Sequence, residues 1–227
     1  TMFAAKGVDF QGSVSKPINV KGEINIQNIA FDIKGYKDEV ANVNSVIYYE
    51  DKTLTINNLT MEAAFGSPIT YYVEGEISML DGQSSTLDFS GNGQVGAVLD
   101  IIGIEKIMPG ILNMTGSLKN SLTDPEINIQ LTSPAVNTEY GLFELVTIDM
   151  EYSKNRITIP NFKGSHRAGD IFGHGLLDFT NQLPHYRLEV ESPKISLSDF
   201  QELSPFPDVD LEGELEFNFG MEGYGFK

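Results

Sequence analysis

The chain has 227 residues, 41% of them apolar, no cysteine, and a formal net charge of −17 from 15 basic and 32 acidic side chains. That much apolar material argues for a folded core, and the missing cysteines exclude disulfides, zinc–thiolate sites and cysteine nucleophiles. The acidic balance argues against a nucleic-acid partner and against docking on an anionic membrane surface, since both need Lys and Arg; it serves to keep a sheet-rich protein soluble.

No run of 18 apolar residues is present to span a bilayer as a helix, and no charged and then apolar leader stands at the start. The chain opens on Thr1-Met2 and stops in mid-pattern at Gly223-Tyr224-Gly225-Phe226-Lys227, which reads as a segment of something longer.

In chain order, the pattern is strand after strand. Ile24 and Ile26 alternate with polar neighbours, as a half-buried strand requires. Leu54 and Ile56 do the same, and Val73, Ile77 and Met79 share a face with Gly75. Pro125 stands where a strand should begin, ahead of Ile127, Ile129 and Leu131. Glu144, Val146, Ile148 and Met150 share one parity, and Ile157 and Ile159 form a further alternating pair.

The last strand is expected to be long. Val209, Leu211, Leu215, Phe217 and Phe219 point one way, and Asp208, Asp210, Glu212, Glu214 and Glu216 the other. At about 3.3 Å per residue it would reach roughly 40 Å. Helix is scarce. Ser198-Asp199-Phe200-Gln201 suggests a short helix capped by Ser198, stopped by Pro205 and Pro207, and the stretch 97–107 suggests another short helix or turn.

In three places the apolar parity slips by one residue: from Ile24 and Ile26 to Ile29, from Leu54 and Ile56 to Leu59, and from Ile157 and Ile159 to Phe162. Such a slip turns side chains to the opposite face unless a β-bulge absorbs it, and bulges bend and twist a strand. Three bulges are therefore expected.

The chain also repeats itself. Leu54 recurs as Ile157, Gly75 as Gly175, Leu99 as Phe200 and Gly116 as Gly213, at offsets of 103, 100, 101 and 97. A steady offset with no motif chemistry inside it points to stacked repeats sharing a continuous core. The expected divisions are residues 1–115, 116–212 and 213–227, the last being the start of a truncated third repeat.

Signals for chemistry are weak. Gly91-Asn92-Gly93-Gln94-Val95-Gly96 spells GxGxxG after a strand. It lacks a βαβ unit and an acid about 20 residues on, so it reads as a strand-to-turn connection rather than a dinucleotide site. His166, His174 and His185 lack metal-ligand spacing and read as surface positions, with His185 in a turn after Pro184. Glu74 with Glu76, and Glu189 with Glu191, read as solvated outer-face acids rather than a glycosidase pair. No catalytic residue, cofactor or metal is expected, and the chain is not expected to be an enzyme.

Val20-Lys21-Gly22-Glu23-Ile24-Asn25-Ile26, Leu54-Thr55-Ile56-Asn57-Asn58-Leu59, the glycine strands that follow, and Ile195-Ser196-Leu197-Ser198-Asp199-Phe200-Gln201-Glu202-Leu203 together resemble the AsmA-like, TamB-type family of repeating β-groove lipid-transfer proteins. The resemblance covers nearly the whole chain and rests on rhythm rather than an invariant signature. It implies a periplasmic piece of an inner-membrane-anchored protein in a Gram-negative-type envelope. Such a protein carries phospholipid along an apolar groove toward the outer membrane and supports outer-membrane biogenesis. The partners implied are phospholipid acyl chains, adjoining repeats of the full-length protein and outer-membrane assembly proteins.

The expected fold is therefore all-β: an elongated, curved, mostly antiparallel sheet, groove-like or taco-like, with an apolar interior and very short helices. The groove candidates are Ile24, Ile26, Leu54, Ile56, Ile77, Met79, Ile127, Ile129, Ile157, Ile159, Leu211, Leu215 and Phe217. The rival readings are a β-sandwich binding or adhesion module with a dry core, an envelope scaffold that spaces partners, and an enzyme on a β-scaffold. The last is disfavoured because the sequence offers no convergent polar cluster.

Overall fold

The computed structural model describes residues 2–15, 19–33, 36–64, 68–80, 82–94, 110–138, 141–181, 183–200 and 212–225; side chains are described at 13, 22, 44–60, 70–80, 82–93, 110–137, 141–181, 183–199 and 212–225. The fold is all-β and antiparallel, and the sheet is not closed. Two compact units are present: Thr1–Lys106 with Asn113–Ile127, and Ile107–Leu112 with Asn128–Lys227.

The first unit holds β1 (Met2–Ser15), β2 (Asn19–Ile33), β3 (Tyr36–Glu50), β4 (Thr53–Ala64), β5 (Pro68–Ser78), β6 (Ser85–Gln94) and most of β7 (Ile111–Asn120). The second holds most of β8 (Glu126–Thr138), then β9 (Gly141–Ser153), β10 (Arg156–His166), β11 (Gly169–Asp178), β12 (His185–Ser196), one helical turn (Leu197–Phe200) and β13 (Glu214–Tyr224). Within each unit, strands adjacent in sequence are adjacent in the sheet. In β8 the half-buried Ile127, Ile129 and Leu131 alternate with exposed Glu126, Asn128 and Gln130, directly after Pro125.

The two units use the same corner. Asp51 and Lys52 join β3 to β4 with φ of 47° and 61°, and Lys154 and Asn155 join β9 to β10 with φ of 49° and 59°. Positive φ at both central residues is the signature of a type I′ turn, whose twist suits a two-residue hairpin. The Met79 N–H donates to the Lys52 carbonyl at 2.8 Å, and the Phe179 N–H to the Asn155 carbonyl at 2.9 Å. The next chain reversal is thereby tied to the hairpin in each unit.

Two of the three expected bulges are present, at matching places. The β4–β5 register shifts between Ile56 and Leu59, where Asn58 sits at φ 55°. The β10–β11 register shifts between Ile159 and Phe162. Each absorbs the parity slip, so Ile56 and Leu59 stay on one face, as do Ile159 and Phe162. The third bulge is absent. In β2, Ile24 to Ile29 keep one register against β1 and also against β3. Hydrogen bonding to a long neighbour on both sides holds that register, so the backbone does not absorb the parity change.

Other expectations are corrected. Glu144 does not share a face with Val146: Leu145 adopts φ 51°, and the β9–β10 register shifts between Lys163 and Ser165. The bulge turns Glu144 to the polar side and leaves Leu145 68% exposed. The helical turn is capped by Ser196, not Ser198, since the Asp199 N–H donates to Ser196 Oγ at 3.4 Å.

Gly91 to Gln94 form strand, not a connection: Gly91 lies opposite Tyr71 and Asn92 opposite Thr70. His185 opens β12 rather than lying in a turn. The stretches 95–109 and 201–211 lie outside the described residues, so the expected helix at 97–107 and the strand positions Val209 and Leu211 do too. The last strand begins at Glu214 among the described residues.

Candidate functional site

Residues directly opposite one another in an antiparallel ladder share a face, so the register sorts the side chains. In the second unit one face carries Ile157, Ile159 and Phe162 of β10, Leu177 of β11, Leu188 and Val190 of β12, and Phe219 and Met221 of β13. The opposite face carries Arg156, Lys163, Asp170, His174, Asp178, Arg187 and Glu189. In the first unit Leu54, Ile56, Leu59, Val73, Ile77, Leu87 and Phe89 share one face, and Thr55, Glu74, Glu76, Thr86 and Asp88 the other.

The apolar face is only partly covered. Among the described residues the buried hydrophobic side chains are Ile56, Ala168 and Ile195; the rest of the apolar face is half-buried or exposed. A sheet packed against a second sheet would bury that face as a core.

Glycines shape this surface. A Cβ on Gly91 would stand 2.6 Å from Tyr71 Cδ1, and one on Gly223 2.6 Å from Tyr186 Cζ; on Gly173 it would run into the Phe162 ring and the Glu189 carbonyl. In each case the aromatic ring lies over the glycine directly opposite it in the ladder. The rings level the surface at those points. At Gly175 no ring fills the gap, and a cavity of about 380 Å³ opens there. Its lining includes Ile159, Gly175, Leu177, Tyr186, Leu188 and Met221. Gly75, its counterpart in the first unit, has φ 135°, and a Cβ there would collide with the Thr86 carbonyl.

The charged face carries three ion pairs and a histidine–glutamate contact. Arg156 meets Asp178 at 2.7 Å, Lys163 meets Asp170 at 3.5 Å and His174 meets Glu189 at 3.3 Å, with Arg187 also on Glu189. Asp178 is the acid with a clearly lowered pKa among the described residues. It accepts from Thr180 N–H at 2.9 Å, Thr180 Oγ1 at 2.5 Å and Arg156. Those bonds, from the Thr180 hydroxyl first, then the Thr180 amide and Arg156, hold its carboxyl well below the usual carboxylate range.

The groove candidates separate. Leu54, Ile56 and Ile77 lie together on the apolar face of the first unit, and Ile157 and Ile159 on that of the second. Ile127 and Ile129 are half-buried in β8. Met79 lies beyond the end of β5 and is exposed, its N–H bonded to the Lys52 carbonyl. Phe217 is half-buried on β13, and Leu215, where the β12–β13 register has shifted, is exposed near the start of that strand. Ile24 and Ile26 lie opposite Ser45 and Val43 in the ladder, their side chains outside the described set, and Leu211 lies outside the described residues.

The histidines do not converge. His166 packs on Phe143 at a ring separation of 5.2 Å and accepts the Ala168 N–H, while His174 and His185 pair with Glu189 and Glu222. Among the described residues no cluster of three or more His, Asp or Glu is placed to hold a metal. Sequence reading missed the ring-over-glycine pairs and the Asp178 cluster. The signal for the first is an aromatic residue and a glycine in successive strands, which has meaning only once the register is known.

No protein-family profile, curated protein or solved structure matches the chain.

Proposed function

We propose that the chain is a non-catalytic segment of an AsmA-like, TamB-type envelope protein that carries phospholipid along the apolar face of its sheet. Its site of action on this reading is the periplasm between inner and outer membranes, in support of outer-membrane biogenesis. The observation that carries the reading is the amphipathic sheet with an incompletely covered apolar face: buried hydrophobic side chains are confined to Ile56, Ala168 and Ile195 among the described residues.

Acyl chains suit such a surface, since each buried CH₂ contributes about 0.8 kcal/mol without directional demands. A 16-carbon chain gains at most roughly 12 kcal/mol when fully buried. A half-open face gives less, which allows release.

Native mass spectrometry of the purified chain should find co-purified phospholipid. Photocrosslinkers at Ile159 and Leu188 should give lipid adducts, and those at Asp149 and Glu191 on the charged face should not. Equal labelling of both faces, or none on either, would overturn the reading.

A further inference from the structure

We propose that the polar face of the first unit holds a site for a small organic ammonium ion, between the exposed ring of Tyr72 and the facing carboxylates of Glu74 and Asp88. The proposal is independent of what the apolar face carries. A cavity of about 260 Å³ opens at this place. Its lining includes Tyr72 and Glu74 of β5 and Asp88 and Ser90 of β6, all of the polar face, with Asn58 of the bulge in β4. The bulge sets Asn57 and Asn58 together opposite Glu74, since Ile56 pairs with Gly75 and Leu59 with Val73.

The second unit shows what such an arrangement takes. Place by place along the two ladders, Phe172 corresponds to Tyr72, His174 to Glu74 and Glu189 to Asp88. There the cations are built in. Lys163, directly opposite Phe172, holds its ammonium 5.4 Å from the centre of that ring, and Arg187 and His174 both meet Glu189. In the first unit Thr60 stands opposite Tyr72 in the place of Lys163, and Thr86 stands in the place of Arg187. β4, β5 and β6 contain no Lys, Arg or His. The ring and the acid remain, and every cation is gone.

Like charges directly opposite in a ladder oppose pairing, so Glu74 and Asp88 destabilise it until a positive charge joins them. Tyr72 is 48% exposed, which leaves its ring open to a cation–π contact. A bare metal ion would engage the carboxylates and leave the ring unused. A neutral ligand would leave the two charges facing each other. An ammonium on a short alkyl body meets both groups, as the Lys163 side chain meets Phe172 and Asp170 in the second unit. The cavity is smaller than the roughly 300–1,000 Å³ of drug-sized sites, so the ligand is a small one.

The test is an NMR titration of the full chain with n-butylammonium chloride, set against 1-butanol as the uncharged body and calcium chloride as the bare charge. Butylammonium should shift the Asn58 side-chain amide and the Tyr72 ring signals, and should bind at least tenfold more tightly than butanol. Tyr72→Ala, and Glu74→Gln combined with Asp88→Asn, should each weaken it at least fivefold. Thr60→Lys brings the second unit's cation into the first and should weaken butylammonium at least tenfold, while Thr60→Gln should leave it unchanged. The Gln variant thus separates occupation of the site from damage to β4. No shift at Asn58 or Tyr72, equal binding of butanol, calcium binding more tightly than butylammonium, or full affinity in the Thr60→Lys chain would overturn the proposal.

Discussion

The corner formed by β4 and β5 and the corner formed by β10 and β11 follow the same order of hairpin, bulge and closing residue with different chemistry. Both follow a type I′ hairpin, both carry a bulge before the second half of the strand, and both end on a residue that accepts the amide two positions on. In the first unit that residue is Ser78, whose Oγ accepts the Leu80 N–H at 3.3 Å; in the second it is Asp178, which accepts the Thr180 N–H at 2.9 Å. Opposite them stand Thr53 and Arg156. Farther along, Glu74 lies opposite Asp88, two like charges, where the second unit sets His174 opposite Glu189. The shared element is thus an order of hairpin, bulge and reversal together with an apolar stripe. The polar face changes from one copy to the next, as expected of a surface whose side chains meet solvent and are weakly constrained.

The largest expected effect tests whether the ring-over-glycine pairs fix the ladder equally in both units. Gly173→Val and Gly91→Val should each cost about 3 kcal/mol in urea unfolding, because the new side chain displaces Phe162 or Tyr71 from its seat. Gly220→Val, with nothing near its Cβ, should stay within about 0.5 kcal/mol. A mild Gly173 variant beside a severe Gly91 variant would break the equivalence.

The charged corner should respond to pH where the neutral one does not. The folded-state pKa of Asp178 lies below its unfolded value of about 3.9, so its stabilisation is complete above that pH and is lost as pH falls beneath it. Asp178→Asn should lower Tm at pH 7, and the gap to the parent chain should close below about pH 4. Ser78→Ala should give a smaller loss that does not vary with pH. A gap that persists unchanged in acid would show that Asp178 acts by shape rather than charge.

At the bulges, Asn58 occupies the left-handed region at φ 55°, and no residue of the bulge in β10 has positive φ. Asn58→Val should cost about 1 kcal/mol by thermal unfolding, and Asn58→Gly should be close to neutral. Asn161→Val should cost less than Asn58→Val. The smallest effect belongs to the hairpins: Lys52→Gly should stabilise by about 0.5 kcal/mol, and Asn155→Gly by less, since asparagine already tolerates that backbone.

How much of this was legible depended on whether the signal was local. Leu54 with Ile56, and Ile157 with Ile159, alternate with polar neighbours because the side-chain period of a strand is two. Their parity slips announced real bulges. The same slip at Ile24 to Ile29 announced none, because β1 and β3 hold β2 in one register on both sides, which the residues of β2 do not record. Ser196 and Ser198 both suit a helix cap. The choice fell to Ser196, whose N–H donates to the Ala168 carbonyl at 2.6 Å and so fixes where β12 ends.

The sequence by itself determined the class: an all-β chain whose strands carry one apolar and one polar face, with similar segments recurring at an offset near 100 residues. That information is carried by short-range periodicity, which needs no partner to be read. Only the tertiary structure decided which aromatic ring covers which glycine, which acid meets Arg156, and that Gly175 opens a cavity. Each of those depends on register between strands, and register is a property of paired backbones rather than of any one segment.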